Sequence, residues 1–331
     1  MTDNLKAAVV QAGSVAFDVE ATLAKTDRLL AEAAEAGAGL AVFPEAFISA
    51  YPKGLDFGCR VGMRKPEGRE QFQRYWDSAI DVPGPATEAL AGMAARHNMY
   101  IVMGVIERDV GTLYCTVLYF SPAGELLGKH RKLMPTASER LVWGQGDGST
   151  LPVFDTPHGR LGAVICWENY MPLFRTAMYA KGVKLYCAPT ADDRDTWLAT
   201  IRHIAVEGRC FVLSACQVMR RSDFPADYPV ADEMADDQVL MRGSSCIVGP
   251  LGEVLAGPLF NEEGILYADL DIGEVARSHL DLDSVGHYSR PDIFQLNVDE
   301  RSRPAANFIS DSASRETDAT NTGINEKNEC L

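Results

Sequence analysis

Positive charge is scarce in this 331-residue chain: 31 Lys and Arg stand against 46 Asp and Glu, a formal net charge of −15. Binding nucleic acid takes a basic surface that displaces counterions from phosphates, so this balance points away from such a partner. Long apolar runs are also missing. No stretch reaches the roughly 18 uninterrupted apolar residues of a membrane span, and the start "MTDNLKAAVVQAG" has no basic leader before a long apolar segment. The expectation is a cytoplasmic protein with no membrane partner. Cysteine is dilute, with eight residues, no CxxC pair, and no HxxxH spacing among the histidines. That pattern sets aside a disulfide scaffold and a structural zinc site, and it leaves reduced thiols. The remaining partners are small molecules or other proteins.

What is present is enough apolar material, 47% of residues, to bury a large core. "LKAAVVQAG" reads as a strand, "VEATLAKTDRLLAEAAEAGAG" as an amphipathic helix stopped by glycine, and "LAVFPE" as an apolar strand. Helix "PATEALAGMAARHNM" then precedes two strands, "YIVMGVIER" and "LYCTVLYFSPAG", joined by a turn around Gly111. "LPVFDTPHGRLGAVIC" reads as a hairpin turning at His158 and Gly159, followed by helix "MPLFRTAMYAKG" and strand "VKLYCAPT". Helix "DTWLATIRHIAVEGR", strand "CFVLSACQV", a hairpin in "SSCIVGPLGEVLAGP" with Gly252 at its turn, and strand "GILYADLDI" complete the pattern. Helices alternating with nearly continuous apolar strands imply mixed sheets covered by helices, an α/β layered sandwich. Residues 1–300 show no composition break and read as a single domain. Residues 301–331 turn polar and patternless and read as a mobile tail.

Three apolar strands end on chemistry-bearing residues: Glu45 in "AVFPEAF", Lys132 in "GKHRKLMPT" and Cys166 in "GAVICWEN". Taken singly, each has a plain reading. Glu45 could cap the next helix, Lys132 could belong to a solvated basic face with Lys129, His130 and Arg131, and Cys166 could fill the core. Together they fit covalent hydrolysis of a C–N bond. A thiolate needs its pKa lowered, which a helix start and a nearby lysine would supply. A carboxylate can take the thiol proton and later activate water. A lysine and a backbone N–H can hold the developing anion. No metal and no organic cofactor are needed.

With Glu45 in "FPEAF", Lys132 in "HRKLMPT" and Cys166 in "CWEN", the chain resembles the nitrilase superfamily of carbon–nitrogen hydrolases, whose members carry Glu, Lys and Cys in this order. The resemblance runs from Lys6 to about Asn297. "CWEN", "VWGQGDGS", "HIAVEGRCFVLSACQ" and "VGHYSRPDIF" resemble the true nitrilase branch, and "CAPTADDRDTW" and "DSVGHYSRPDIFQLNV" the plant-type cyanoalanine and arylacetonitrile enzymes and their bacterial relatives. The resemblance implies an αββα sandwich pairing to αββα-αββα in a dimer, with dimers building larger spirals. It adds Glu139 in "SERLVWGQGDGS" as support for the lysine, Tyr51 in "EAFISAYPKG" as a pocket residue, and Trp167 as pocket wall and backbone oxyanion donor. Pro189 and Thr190, at a strand end, could flank the same pocket. His203 and His287 read as structural, and Cys187, Cys210, Cys216 and Cys246 as core. Two long inserts, "PKGLDFGCRVGMRKPEGREQFQRYWDSAIDVPG" and "RSDFPADYPVADEMADDQV", read as contact or lid segments.

The implied activity is hydrolysis of an organic nitrile to acid and ammonia, with some amide by-product. Three alternatives keep the same residues: an amidase or carbamoylase of the superfamily, a cyanide-degrading enzyme, and a non-catalytic, filament-forming protein.

Overall fold

In a computed structural model that describes residues 4–228, 235 and 237–309, alternation decides which face of each strand meets which layer. β1 (Asn4–Gln11) sends Leu5, Ala7 and Val9 to one core, and Ala8 and Val10 to another on the opposite face. The second core is closed by α1 (Val19–Glu35), which Asp18 caps by accepting the Ala21 N–H at 2.9 Å. Then come β2 (Leu40–Val42), a small hairpin of β3 (Cys59–Arg60) and β4 (Met63–Arg64), α2 (Pro66–Asp77) and β5 (Ile80–Asp81). α3 (Pro85–His97), β6 (Tyr100–Asp109), β7 (Thr112–Phe120) and β8 (Leu126–Arg131) complete the first half. The second half holds β9 (Arg160–Ala163), α4 (Pro172–Ala180), β10 (Val183–Cys187), α5 (Thr196–Gly208), β11 (Phe211–Ser214) and β12 (Val218–Arg220). β13 (Val239–Val248), β14 (Val254–Phe260), β15 (Gly264–Asp271) and α6 (Gly273–Ser278) follow.

These elements build two mixed sheets. One runs β15-β1-β2-β6-β7-β8 with β5 beside β6, the other β12-β13-β11-β10-β9 with β14 beside β13. Their inner faces meet in one core that joins Leu5, Val42, Val102 and Val117 to Leu161, Leu185, Phe211 and Ile247. Outside the first sheet, α1 and α3 bury Leu30, Leu90 and Ala94. Outside the second, α4 and α5 bury Phe174, Met178, Trp197 and Ile201. The result is the expected αββα sandwich.

Some segments differ from the sequence reading. "LLGKHR", which leads into Lys132, is a strand, but a largely half-buried polar one rather than the apolar strand expected there. "LPVFDTPHGRLGAVIC" closes through a Thr156–Gly159 turn but carries a single bridge pair, Phe154 with Leu161, since Pro152 has no N–H to continue a ladder. The first insert is no plain loop: it contains α2, which plants Tyr75 fully in the core. His203 is exposed rather than packed, 3.6 Å from Glu207. Cys187, Cys210, Cys216 and Cys246 are buried as expected. Residues 229–234 and 236 of the second insert and 310–331 of the tail lie outside the described residues.

Candidate active site

Glu45, Lys132 and Cys166 arrive from three strands at one buried point. Glu45 follows β2 in a sharp bend, where Ala46 has φ +51°. Gln217 holds that bend by donating its amide to the Glu45 carbonyl at 2.9 Å and the Ala46 carbonyl at 3.3 Å. Beneath it lies Gly104 of β6, where an added Cβ would fall 2.1 Å from the Pro44 carbonyl oxygen and 2.8 Å from Glu45 Cα. Lys132 continues β8, its N–H bonded to the Cys115 carbonyl at 2.8 Å. Strand alternation splits the basic cluster: His130 and Lys132 are fully buried, whereas Lys129 and Arg131 pair with Glu107.

Cys166 sits where β9 ends. Its N–H donates to the Pro189 carbonyl at 2.8 Å, and its backbone adopts a left-handed φ of +50°, costly for a residue with a Cβ. Neighbours hold this elbow from several sides. Glu168 accepts the N–H of Leu133 on Oε1 at 2.5 Å and that of Ile165 on Oε2 at 2.8 Å, and His130 Nε2 lies 2.9 Å from Oε2. Asn169 donates to the Cys166 and Val164 carbonyls and accepts the Tyr186 hydroxyl. The Cys166 N–H is thereby occupied, while the Trp167 N–H has no hydrogen-bond partner among the described residues.

The side chains interlock. Lys132 Nζ donates to Glu45 Oε1 at 2.6 Å and Glu139 Oε2 at 2.7 Å. Glu139 also caps its own short helix by accepting the Thr136 N–H at 2.6 Å, and it accepts the Tyr51 hydroxyl at 2.7 Å. The Thr190 hydroxyl donates to Cys166 Sγ at 3.2 Å. Glu45 Oε2 is buried and accepts no hydrogen bond among the described residues. Trp167 is 41% exposed, its ring N–H on Asp192 at 2.8 Å and the Arg194 guanidinium 4.7 Å from its ring centre. So Glu45, Lys132, Glu139, Cys166, Tyr51 and Thr190 are brought together. Pro189 meets the group through its carbonyl, and Trp167 stands at its edge.

Burial raises the Glu45 carboxyl above its ordinary value, opposed chiefly by Lys132. Burial works to strip the Lys132 proton, but Glu45 first and then Glu139 outweigh it and hold its pKa well up. The Cys166 thiol is pushed up by burial and by Glu45, with Lys132 and Thr190 opposing. This corrects the expectation of a lowered thiol pKa: the resting group is a neutral thiol, and a thiolate requires a base beside it. Such a set can pass a proton from sulfur to carboxylate and hold a developing anion at a cation. Among the described residues no three His, Cys, Asp or Glu side chains gather as a metal site would need, and no helix is long and apolar enough to cross a membrane.

The sequence reading passed over His130, Glu168, Asn169 and Gln217 as positioning groups. Only the alternation of His130 with Lys132 offered a signal.

Residues 6–279 match the family described as carbon-nitrogen hydrolase. The chain belongs to that family, on its nitrilase branch. It is 60% identical over 305 residues to a nitrilase of Bradyrhizobium diazoefficiens, covering 92% of this chain and 95% of the relative. A bifunctional nitrilase/nitrile hydratase of Nicotiana tabacum is 54% identical over 320 residues, covering 96% and 92%. A solved amidase from Nesterenkonia sp. shares the fold at a TM-score of 0.62 and 22% identity, covering 82% of this chain and 92% of its own.

Proposed function

We propose that the protein hydrolyses an organic nitrile to its carboxylic acid and ammonia, with Cys166 as nucleophile. The observation that carries this is the unpartnered Glu45 Oε2 beside the Cys166 thiol, with Lys132 fixed on Oε1. Glu45 takes the thiol proton as sulfur bonds to the nitrile carbon, and the proton passes to nitrogen, giving a thioimidate. Lys132 and the Trp167 N–H hold the negative charge as it develops. Water, deprotonated by Glu45, adds to the same carbon, and ammonia leaves to give a thioester. A second water releases the acid and restores the thiol. If the first tetrahedral species expels sulfur instead, the product is the amide, an outcome supported by the tobacco relative's name. Glu139 holds Lys132 in place and, with Tyr51, faces the substrate, while Thr190 steadies the sulfur.

The same reading has the enzyme self-associating as dimers that build larger spirals. Exposed apolar residues on and before α4, Leu173 and Met171, support it. Residues 1–300 serve this one site as a single domain, with the tail from 301 outside it. Seven free cysteines among the described residues support a cytoplasmic location, where thiols stay reduced. The test is ammonia and acid release from phenylacetonitrile, benzonitrile, fumaronitrile and 3-cyanoalanine, with free cyanide and matched amides alongside. Turnover of amides or cyanide alone rejects the proposal.

A further inference from the structure

Cys115 on β7 differs from the other buried cysteines. Cys187, Cys210 and Cys246 are raised mainly by burial, with no carboxylate hydrogen-bonded to their sulfur among the described residues. Cys115 Sγ instead lies 3.4 Å from Glu45 Oε1, the oxygen that already accepts Lys132, while Oε2 has no partner. The Cys115 backbone carbonyl accepts the Lys132 N–H at 2.8 Å, so one residue touches both the carboxylate and the lysine strand.

We propose that Cys115 is a positioning residue: its thiol donates to Glu45 Oε1 and, with Lys132, leaves Oε2 as the one basic oxygen facing Cys166. A carboxylate with two equivalent free oxygens could rotate or accept a proton on the wrong side. Two donors on Oε1 fix its orientation and favour its ionised form. Burial and the Glu45 charge keep the Cys115 thiol protonated and therefore a donor. The other groups facing Glu45 are Lys132, Glu139 and Cys166, and Tyr51 also feels its charge. Of these only Lys132 donates to Oε1. Since a sulfhydryl is a weak donor, its loss moves the protonation of Glu45 upward by about half a pH unit.

For the activity readout, this inference rests on the nitrilase reading. The experiment compares the pH dependence of kcat/KM in the parent with Cys115→Ala, Cys115→Val and Cys115→Ser. Valine fills the thiol's space without a donor, covering the case in which alanine fails to fold, and serine restores a donor. The acid limb should rise by about half a pH unit in Ala and Val and stay at or below the parent in Ser. The rate of Cys166 alkylation by iodoacetamide, followed by peptide mass, should show the same ordering without nitrile turnover, so failure of the nitrilase reading is seen separately. Superimposable profiles in Ala, Val and parent with only a lower Tm, or the same displacement in all three variants, would overturn the proposal in favour of plain packing.

Discussion

Replacing Gly104 by alanine adds one methyl group at a distance from every reacting atom, yet it should disable the site. The new Cβ would stand 2.1 Å from the Pro44 carbonyl oxygen, where ordinary contact begins at 3.4 Å, so the two must part by about 1.3 Å. Neither side yields easily. β6 is hydrogen-bonded between β2 and β7, and the Pro44–Glu45–Ala46 bend is held from above by Gln217 and, one residue on, by Ser14 on the Phe47 carbonyl. The displacement therefore falls on Glu45, and misplacing a catalytic group by about 1 Å costs on the order of 100-fold in rate. Overpacking should destabilise the fold by about 1–3 kcal/mol, leaving it folded. The assay is kcat/KM with a turned-over nitrile, alongside thermal unfolding and circular dichroism. Activity within threefold of the parent in folded Gly104→Ala would refute the claim that this contact sets the position of Glu45.

Lys132→Met leaves Glu45 and Glu139 buried without their shared cation and should cost about 3–5 kcal/mol at neutral pH. With the lysine gone the Glu45 carboxyl, already raised above 4.5, rises further. A group whose folded pKa is raised stabilises below its unfolded value and loses that contribution as pH climbs, so the stability deficit should grow from pH 5 to pH 8 in denaturant titrations. An equal deficit at both would contradict this. Glu168→Gln sets an amide N–H against backbone donors and removes the partner of His130, whose pKa the carboxylate raises against burial. His130 stabilises below its ordinary 6.5 and loses that contribution as pH rises, so the variant's Tm deficit should be larger at pH 6 than at pH 9. Thr190→Val removes the hydroxyl that donates to Cys166 Sγ and accepts the Asp192 N–H, so it should lower kcat/KM by about tenfold, the effect of one hydrogen bond to a developing thiolate, and cost about 1–3 kcal/mol of stability for the orphaned N–H. A loss under twofold would set Thr190 aside.

The layers were legible because apolar runs such as "VKLYC" and "YIVMGVIE" can be buried only between a sheet and its covers. Glu45 and Cys166 were legible because each ends such a run, and Lys132 because it stands in an equally recognisable motif. The rest depends on contacts that the order of residues hides. Gln217 supports Glu45 from 172 positions away, and Glu168 meets His130 across 38. α2 was missed because its polar helix buries little more than Tyr75, too narrow a stripe to register as periodic. The thiol's pKa was misjudged for the same reason: a helix start and a nearby lysine suggest activation, whereas the depth of burial, which opposes it, is a property of the assembled sandwich.

The most direct test of the central claim is rapid quenching of the enzyme during turnover of an organic nitrile, with peptide mass mapping and measurement of ammonia and acid. The account predicts a thioimidate or acyl adduct on the Cys166 peptide, ammonia and acid released together, and neither adduct nor product from folded Cys166→Ala. Turnover that persists in Cys166→Ala, or an adduct carried on another cysteine, would contradict it.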